Sequence, residues 1–223
     1  RLACSIAIAS LYLSGFLYAM NAIIVDDHPL ARIAIRNLLD TNGIAVTTEL
    51  DSGDQVVQTV EKTKPELLII DVDIPGISGI EVLEQLRKRH YAGVIIIISA
   101  KNEFFYGKRS AEYGANGFVS KKEGMNNILA AIEAAKNGYS YFPFSLEHFT
   151  GSSVSEQDKL DTLSNQEMRV LRYILNGMDY SSIASKMNIS NKTVSTYKSR
   201  LMEKLDCSSL MEIYDYAQRN KIG

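Results

Sequence analysis

Three stretches of this sequence are apolar without alternation, and each ends in a polar residue: "AIIVD" at 22–26, "LLIID" at 67–71 and "VIIIIS" at 94–99. A strand with one wet face alternates polar and apolar side chains. Strands that are apolar at every position belong in a parallel sheet covered by helices on both sides. Two further short runs, Ala45–Leu50 and Gly117–Lys121, bring the strand candidates to five. The segments between them have helical spacing. Leu30–Asp40 carries Leu30, Ile33, Ala34 and Leu38 on one stripe and stops near Gly43; Met125–Asn137 carries Met125, Ile128, Leu129, Ile132 and Ala135, with Gly138 following as a C′ residue. Strands alternating with helices predict an α/β, flavodoxin-like doubly wound parallel five-stranded unit over residues 20–143.

The pattern then changes. "SLEHFTGSSVSEQDKLDT", Ser145–Thr162, is polar and Ser-rich and reads as a linker, placed at 144–162. Beyond it the strand signals vanish. "LSNQEMRVLRYILNG" opens with Ser164 as an N-cap and Glu167 three residues on, a capping box, and closes on Gly177. Helical stretches follow at Tyr180–Met187, Lys192–Leu205 and Ser209–Asn220, so residues 163–223 read as a small all-α four-helix domain. A chain of 223 residues accommodates two such modest domains. The first 19 residues are apolar and rich in small side chains, like a signal peptide or short membrane segment. The first strand begins directly after Met20, so 1–19 are read as a non-native or misassigned leader.

Charge divides the two domains. The net charge of -2 excludes a general polyanion binder, yet from Asn165 to Leu205 seven Lys and Arg stand against three acids. That excess favours a polyanion partner for the C-terminal part. Two cysteines, Cys4 and Cys207, supply neither a disulfide framework nor a metal cage, which fits a reducing cytoplasm.

Open parallel sheets bind ligands at the carboxyl ends of their strands. Here those ends hold Asp26 and Asp27, then Asp71, then Ser99-Ala100, then Lys121. Adjacent carboxylates repel and raise each other's pKa unless a cation joins them. Mg²⁺ suits such a set, since it takes one or two carboxylates and keeps several waters. An aspartate beside Mg²⁺ and an ammonium can accept a phosphoryl group, and Asp71 on the central strand is the candidate nucleophile. Taken singly, each element has a plain reading: an Asp-Asp before Pro as a helix cap, Lys121 as a snorkelling surface residue, Ser99 as a strand end, Phe118 as core.

The ordered set Asp26/Asp27, Asp71 with Pro75, Ser99-Ala100, and Phe118 with Lys121 resembles the receiver domain of a two-component response regulator. The resemblance implies that Asp27 and Asp71 ligate Mg²⁺ with the carbonyl of Asp73, while Asp26 acts through water. It implies that Lys121 pairs with the phosphoryl group, and that Ser99 moves toward it and draws Phe118 along as a switch. The Asp71–Asp73 "DVD" is also similar to the Asp-x-Asp of aspartyl-phosphate phosphatases, but Pro75 and the acid pair on the first strand depart from that family. The chain is therefore not read as an enzyme.

In the helical part, "YSSIASKMNISNKTVSTYKSRLMEKL" places Ile183, Ala184, Met187 and Ile189, then Val194, Tyr197, Leu201 and Leu205, on buried stripes, a helix-turn-helix pattern. Ser190 or Asn191 would cap the third helix. Its other face presents Lys192, Ser195, Thr196 and Ser199, flanked by Lys198 and Arg200; small polar residues there can reach base edges and the cations can reach phosphates. The plain alternative is a solvated surface. The segment 163–205 resembles the LuxR-type output domain of NarL/FixJ regulators, with Tyr197 where many members have His. The resemblance implies a phosphorylation-dependent, DNA-binding transcription regulator, switched through its fourth helix, fifth strand and fifth helix. It implies a sensor histidine kinase, double-stranded promoter DNA and a second copy of the chain as partners. RNA polymerase stays open as a further partner, and no membrane is implied. On the last helix, Leu210, Ile213, Tyr214 and Ala217 lie at helical spacing; the resemblance implies a dimer contact there, and intradomain core for all four is the equally weighted alternative. An output domain that grips a protein instead of DNA is the competing reading, and the local positive charge weighs against it.

Overall fold

The computed structural model describes residues 20–124, 126–142 and 156–222, with the side chains of 156–158 left aside. The leader, Met125 and residues 143–155 of the linker span lie outside the described residues. Strands β1 (Met20–Val25), β2 (Ile44–Leu50), β3 (Leu67–Asp71), β4 (Val94–Ser99) and β5 (Gly117–Ser120) form one parallel sheet in the order β2-β1-β3-β4-β5. Helices α1 (Pro29–Thr41), α2 (Val56–Thr63), α3 (Gly79–Lys88), α4 (Glu103–Glu112) and α5 (Asn126–Lys136) connect and follow them.

The unalternated runs do what a two-sided strand requires. Ile23, Val25, Leu68, Ile70, Ile95, Ile97 and Phe118 point to one face, against Val56 and Val60 of α2, Leu83 and Leu86 of α3 and Phe105 of α4. Ala22, Ile24, Leu67, Ile69, Ile96, Ile98 and Val119 point to the other, against Ile35 and Leu39 of α1 and Ile128 and Ile132 of α5. Each fully buried Leu or Ile contributes roughly 1.5–3 kcal/mol over leaving it exposed, so the sheet centre holds most of the driving force.

The helical part comprises α6 (Glu156–Asp161), α7 (Asn165–Leu175), α8 (Tyr180–Met187), α9 (Asn191–Leu205) and α10 (Leu210–Arg219). Helix α6 departs from the linker reading. It buries Leu160 completely, and a single apolar residue in a six-residue polar helix leaves no periodic signal to read. The capping box at α7 is formed: Ser164 Oγ accepts from Glu167 N at 3.3 Å, and Ser164 N donates to the Glu167 carboxylate at 2.8 Å. Val194, Leu201, Leu205, Ile183, Ala184 and Met187 pack with Val170 and Leu171 of α7. The apolar cluster on the α2, α3 and α4 side of the sheet continues into this core, so the two domains are docked.

Candidate functional site: an acidic pocket and a helical face

β1 and β3 lie side by side in parallel register, which delivers their carboxyl ends to one place. Asp26 is fully buried, Asp71 is 3% exposed, and the Asp27 side chain keeps about a third of its surface in solvent. The Lys121 ammonium, just past β5, lies 2.7 Å from Asp26 Oδ2 and 2.6 Å from Asp71 Oδ2. The predicted acids and lysine thus gather in one pocket. Burial pushes the Asp71 carboxyl above the ordinary carboxylate value, and Lys121 offsets only part of that. Burial works to lower the Lys121 pKa, but Asp71 and Asp26 together outweigh it and hold the ammonium above its usual value.

Oxygens suited to a hard cation are present. Ligand atoms of Asp26, Asp27, His28 and Asp71 all lie within 4.8 Å of one another. Asp26 Oδ2 and Asp27 Oδ1 are buried and face only the Lys121 ammonium and the His28 ring, which leaves lone pairs on both for a divalent ion. The residues present therefore fit Mg²⁺. His28 is the member that sequence reasoning passed over. Its Nδ1 stands 2.7 Å from Asp27 Oδ1, and nothing in its position as residue before Pro29 distinguishes it from a plain turn residue. The Asp73 carboxylate is turned away, paired with Lys101 at 2.7 Å, so that only the backbone of this residue faces the acids; its N–H donates to Asp71 Oδ1 at 3.3 Å.

Around the pocket, Ser99 and Phe118 are both fully buried. Ser99 Oγ accepts from Lys101 N at 3.0 Å. Gly79 opens α3 directly against β3: a Cβ there would lie 2.2 Å from the Asp71 carbonyl oxygen, and its N–H donates to Val72 O at 3.1 Å. At the rim, Leu30 and Ile33 on α1 are 80% and 53% exposed, an apolar pair left in water beside the acids.

The second face lies on α9. Ser190 caps it, accepting from Thr193 N at 3.1 Å, and Asn188 takes a left-handed φ of 54° in the turn before it. Lys192, Ser195, Thr196, Ser199 and Arg200 are exposed, and Lys198 is half-buried over the Tyr180 ring at 5.5 Å. The Thr196 hydroxyl donates to Lys192 O and the Ser199 hydroxyl to Ser195 O, both at 3.0 Å, which leaves their lone pairs facing outward.

The positive excess counted from the sequence shrinks on this face. Arg169 pairs with Glu81 at 2.6 Å, Arg172 donates to Ile74 O at 2.5 Å, and Lys204 pairs with Glu167 at 2.7 Å. Three of the seven cations thus serve the interior or the domain boundary. On α10, Ile213 and Ala217 are buried, while Leu210 and Tyr214 are each 39% exposed and Met211 is 69% exposed, so the stripe is split between core and surface.

Comparison with known proteins matches both domains. The family described as response regulator receiver domain matches residues 22–133, and the family of bacterial regulatory proteins, luxR family, matches residues 161–217. Within the NarL/FixJ type the sequence pattern points to EvgA, with BvgA related. The chain is 70% identical over 204 residues to the DNA-binding transcriptional activator EvgA of Escherichia coli (strain K12), covering 92% of this chain and 100% of that one. It is 35% identical over 206 residues to the virulence-factor transcription regulator BvgA of Bordetella pertussis, covering 91% and 99%. Among solved structures, RcsB of Salmonella enterica serovar Typhimurium, bound to a promoter in the presence of the phosphomimetic BeF3-, superposes with a TM-score of 0.74 at 25% identity over 90% of this chain and 98% of that one. A score of that size over that span needs both domains to superpose together. A receiver and a LuxR-family helix-turn-helix, joined and docked in one chain, make this protein a member of the two-component response regulators that bind DNA and regulate transcription.

Proposed function

We propose that Asp71 is the phosphoacceptor of this regulator, charged by a sensor histidine kinase in the cytoplasm, and that the phosphorylated chain acts on promoter DNA as a homodimer. The observation that carries this reading is the convergence of Asp26, Asp27, Asp71 and Lys121 at the carboxyl edge of one sheet.

An Asp71 carboxylate oxygen attacks the phosphorus of the donor, and the bond from phosphorus to the donor imidazole breaks. Bound Mg²⁺ would neutralise the oxygens of the transferring group, held by Asp27, Asp71 and the Asp73 carbonyl, with Asp26 acting through water. Lys121 leaves its shared position between Asp26 and Asp71 to pair with the new charge. Ser99 donates a hydrogen bond to the phosphoryl group, and the buried Phe118 ring follows as the switch. The exposed Leu30 and Ile33 give a protein donor an apolar foothold at the rim.

On the DNA side, Ser195, Thr196 and Ser199 face base edges while Lys192, Lys198 and Arg200 meet phosphates. Paired half-sites about 10 bp apart suit a dimer joined through Leu210, Met211 and Tyr214. The docked arrangement leaves the α9 face open, and its likeness to promoter-bound RcsB supports DNA binding without undocking.

Labelling by acetyl phosphate with Mg²⁺ tests the acceptor. The wild-type chain should take up one phosphoryl group and Asp71→Asn none; a labelled Asp71→Asn chain would refute the assignment.

A further inference from the structure

The segment between Asp71 and α3 has its backbone polar groups met from two directions. From the receiver, Gly53 N and Ser52 Oγ donate to Pro75 O at 2.9 and 3.2 Å, and Ile77 N donates to Asp54 Oδ1 at 3.2 Å. From the other domain, Arg172 of α7 donates through Nη2 to Ile74 O at 2.5 Å and to Gly76 O at 3.3 Å. Arg172 and Asp73 also line the same small space of about 50 Å³ at the domain boundary, with Lys101, Arg109 and Ile222. One guanidinium nitrogen bridging two carbonyls of one turn fixes that turn's shape, and its loss leaves both acceptors short of a donor.

We propose that Arg172 is a positioning residue of the receiver's cation site, contributed by the DNA-binding domain. It acts through the loop. The Asp73 carbonyl belongs to the peptide just before Ile74, and the two peptide planes share the Ile74 Cα. The Ile74 side chain is 1% exposed, so this residue is pinned by packing on one side and by Arg172 on the other. With the loop held, the Asp73 backbone, whose N–H donates to Asp71 Oδ1 at 3.3 Å, keeps its place beside the acids; with the loop freed, cation binding must first order it, and affinity falls.

Linkage makes the effect mutual: if docking of α7 raises cation affinity by some factor, the bound cation raises docking by the same factor. Cation binding to the receiver then holds the output domain in its docked pose, with the α9 face open. In this device the recognition helix is not uncovered by release; it is steadied by retention. The rest of the boundary supplies the grip without donating to the Ile74 and Gly76 carbonyls. Arg169 pairs with Glu81 at 2.6 Å, Arg109 donates to Leu163 O and Asn165 Oδ1 at 2.9 Å, and Asn165 donates to Glu84.

This inference deepens the Asp71 reading and rests on it for the meaning of the site, but its test does not need phosphorylation. Mg²⁺ affinity is measured by calorimetry on the full chain for wild type, Arg172→Ala, Arg172→Lys and Arg169→Gln, with circular dichroism melts to verify folding. Arg172→Ala should weaken Mg²⁺ binding about 3- to 10-fold, Arg172→Lys less, since one ammonium can serve one of the carbonyls, and Arg169→Gln least. Unchanged or tighter binding in Arg172→Ala overturns the proposal. So does an equal loss in Arg172→Ala and Arg169→Gln, which would reduce Arg172 to a docking contact. A graded loss of Mg²⁺ affinity in a chain that acetyl phosphate never labels would sustain Arg172's role and sink the acceptor reading instead.

Discussion

Asp26 and Asp71 are withdrawn from water and share one ammonium, whereas Lys192 and Arg200 of α9 stand in solvent. The two regions handle charge in opposite ways. In the pocket every charge needs a partner, because an isolated buried ion is costly, so moving one group disturbs the others. On the helix each cation is independent and screened by salt, and its loss subtracts one increment. The pocket is a cooperative device and the helical face an additive one.

The largest effect that could break this contrast is Lys121→Met. It leaves Asp26 and Asp71 facing each other without a cation and should destabilise the metal-free receiver by about 3–5 kcal/mol. Added Mg²⁺ should restore part of the melting temperature. A variant as stable as wild type without Mg²⁺ would mean the pocket is not cooperative.

An intermediate case sits inside the DNA-binding domain. Burial alone would raise the Glu167 carboxyl, yet Lys204 and the Ser164 cap outweigh it and hold the pKa below the ordinary carboxylate value. The unfolded chain therefore binds the proton more readily than the folded one. The stabilisation is complete above the ordinary carboxylate pKa and is lost as pH falls through the depressed folded value. Glu167→Gln should cost roughly 1–2 kcal/mol at neutral pH in denaturant unfolding, and the gap to wild type should close in acid. A pH-independent gap would mean that the cost of the substitution does not come from the charge of the Glu167 carboxylate.

Smaller effects belong to the additive face. Lys192→Ala and Arg200→Ala should each lower the slope of log K against log salt by about 1 in filter-binding or anisotropy titrations, alike on specific and random DNA. If either changed sequence preference instead, that residue reads bases. Smallest of all, Thr196→Ala should relax discrimination at one base pair by about 1 kcal/mol or less, since its hydroxyl offers only lone pairs outward. Selection of bound fragments from random DNA would show the relaxed position.

The same contrast governs what could be read from the sequence. Strand runs such as "LLIID" have one structural solution, and the acids at their ends follow from it by topology. The α7 capping box was legible for the same reason, being a local contact with a fixed spacing. Contacts set by docking were not. Arg169 and Arg172 counted in the sequence as charge available to DNA, but both are turned to the receiver, and nothing in a helix's own periodicity says which neighbour it will meet. The stripe on α10 failed in a related way: Leu210 and Ile213 share a helical spacing, yet one is exposed and the other buried, because the core covers only part of that face.

The absence of room at Gly79 bears on how this protein tolerates change. Any side chain there drives into the backbone of β3. Random mutagenesis screened for lost signalling should therefore recover substitutions at this chemically silent glycine alongside those at the acids. A genetic map of the switch would mark a residue that bears no reactive group at all.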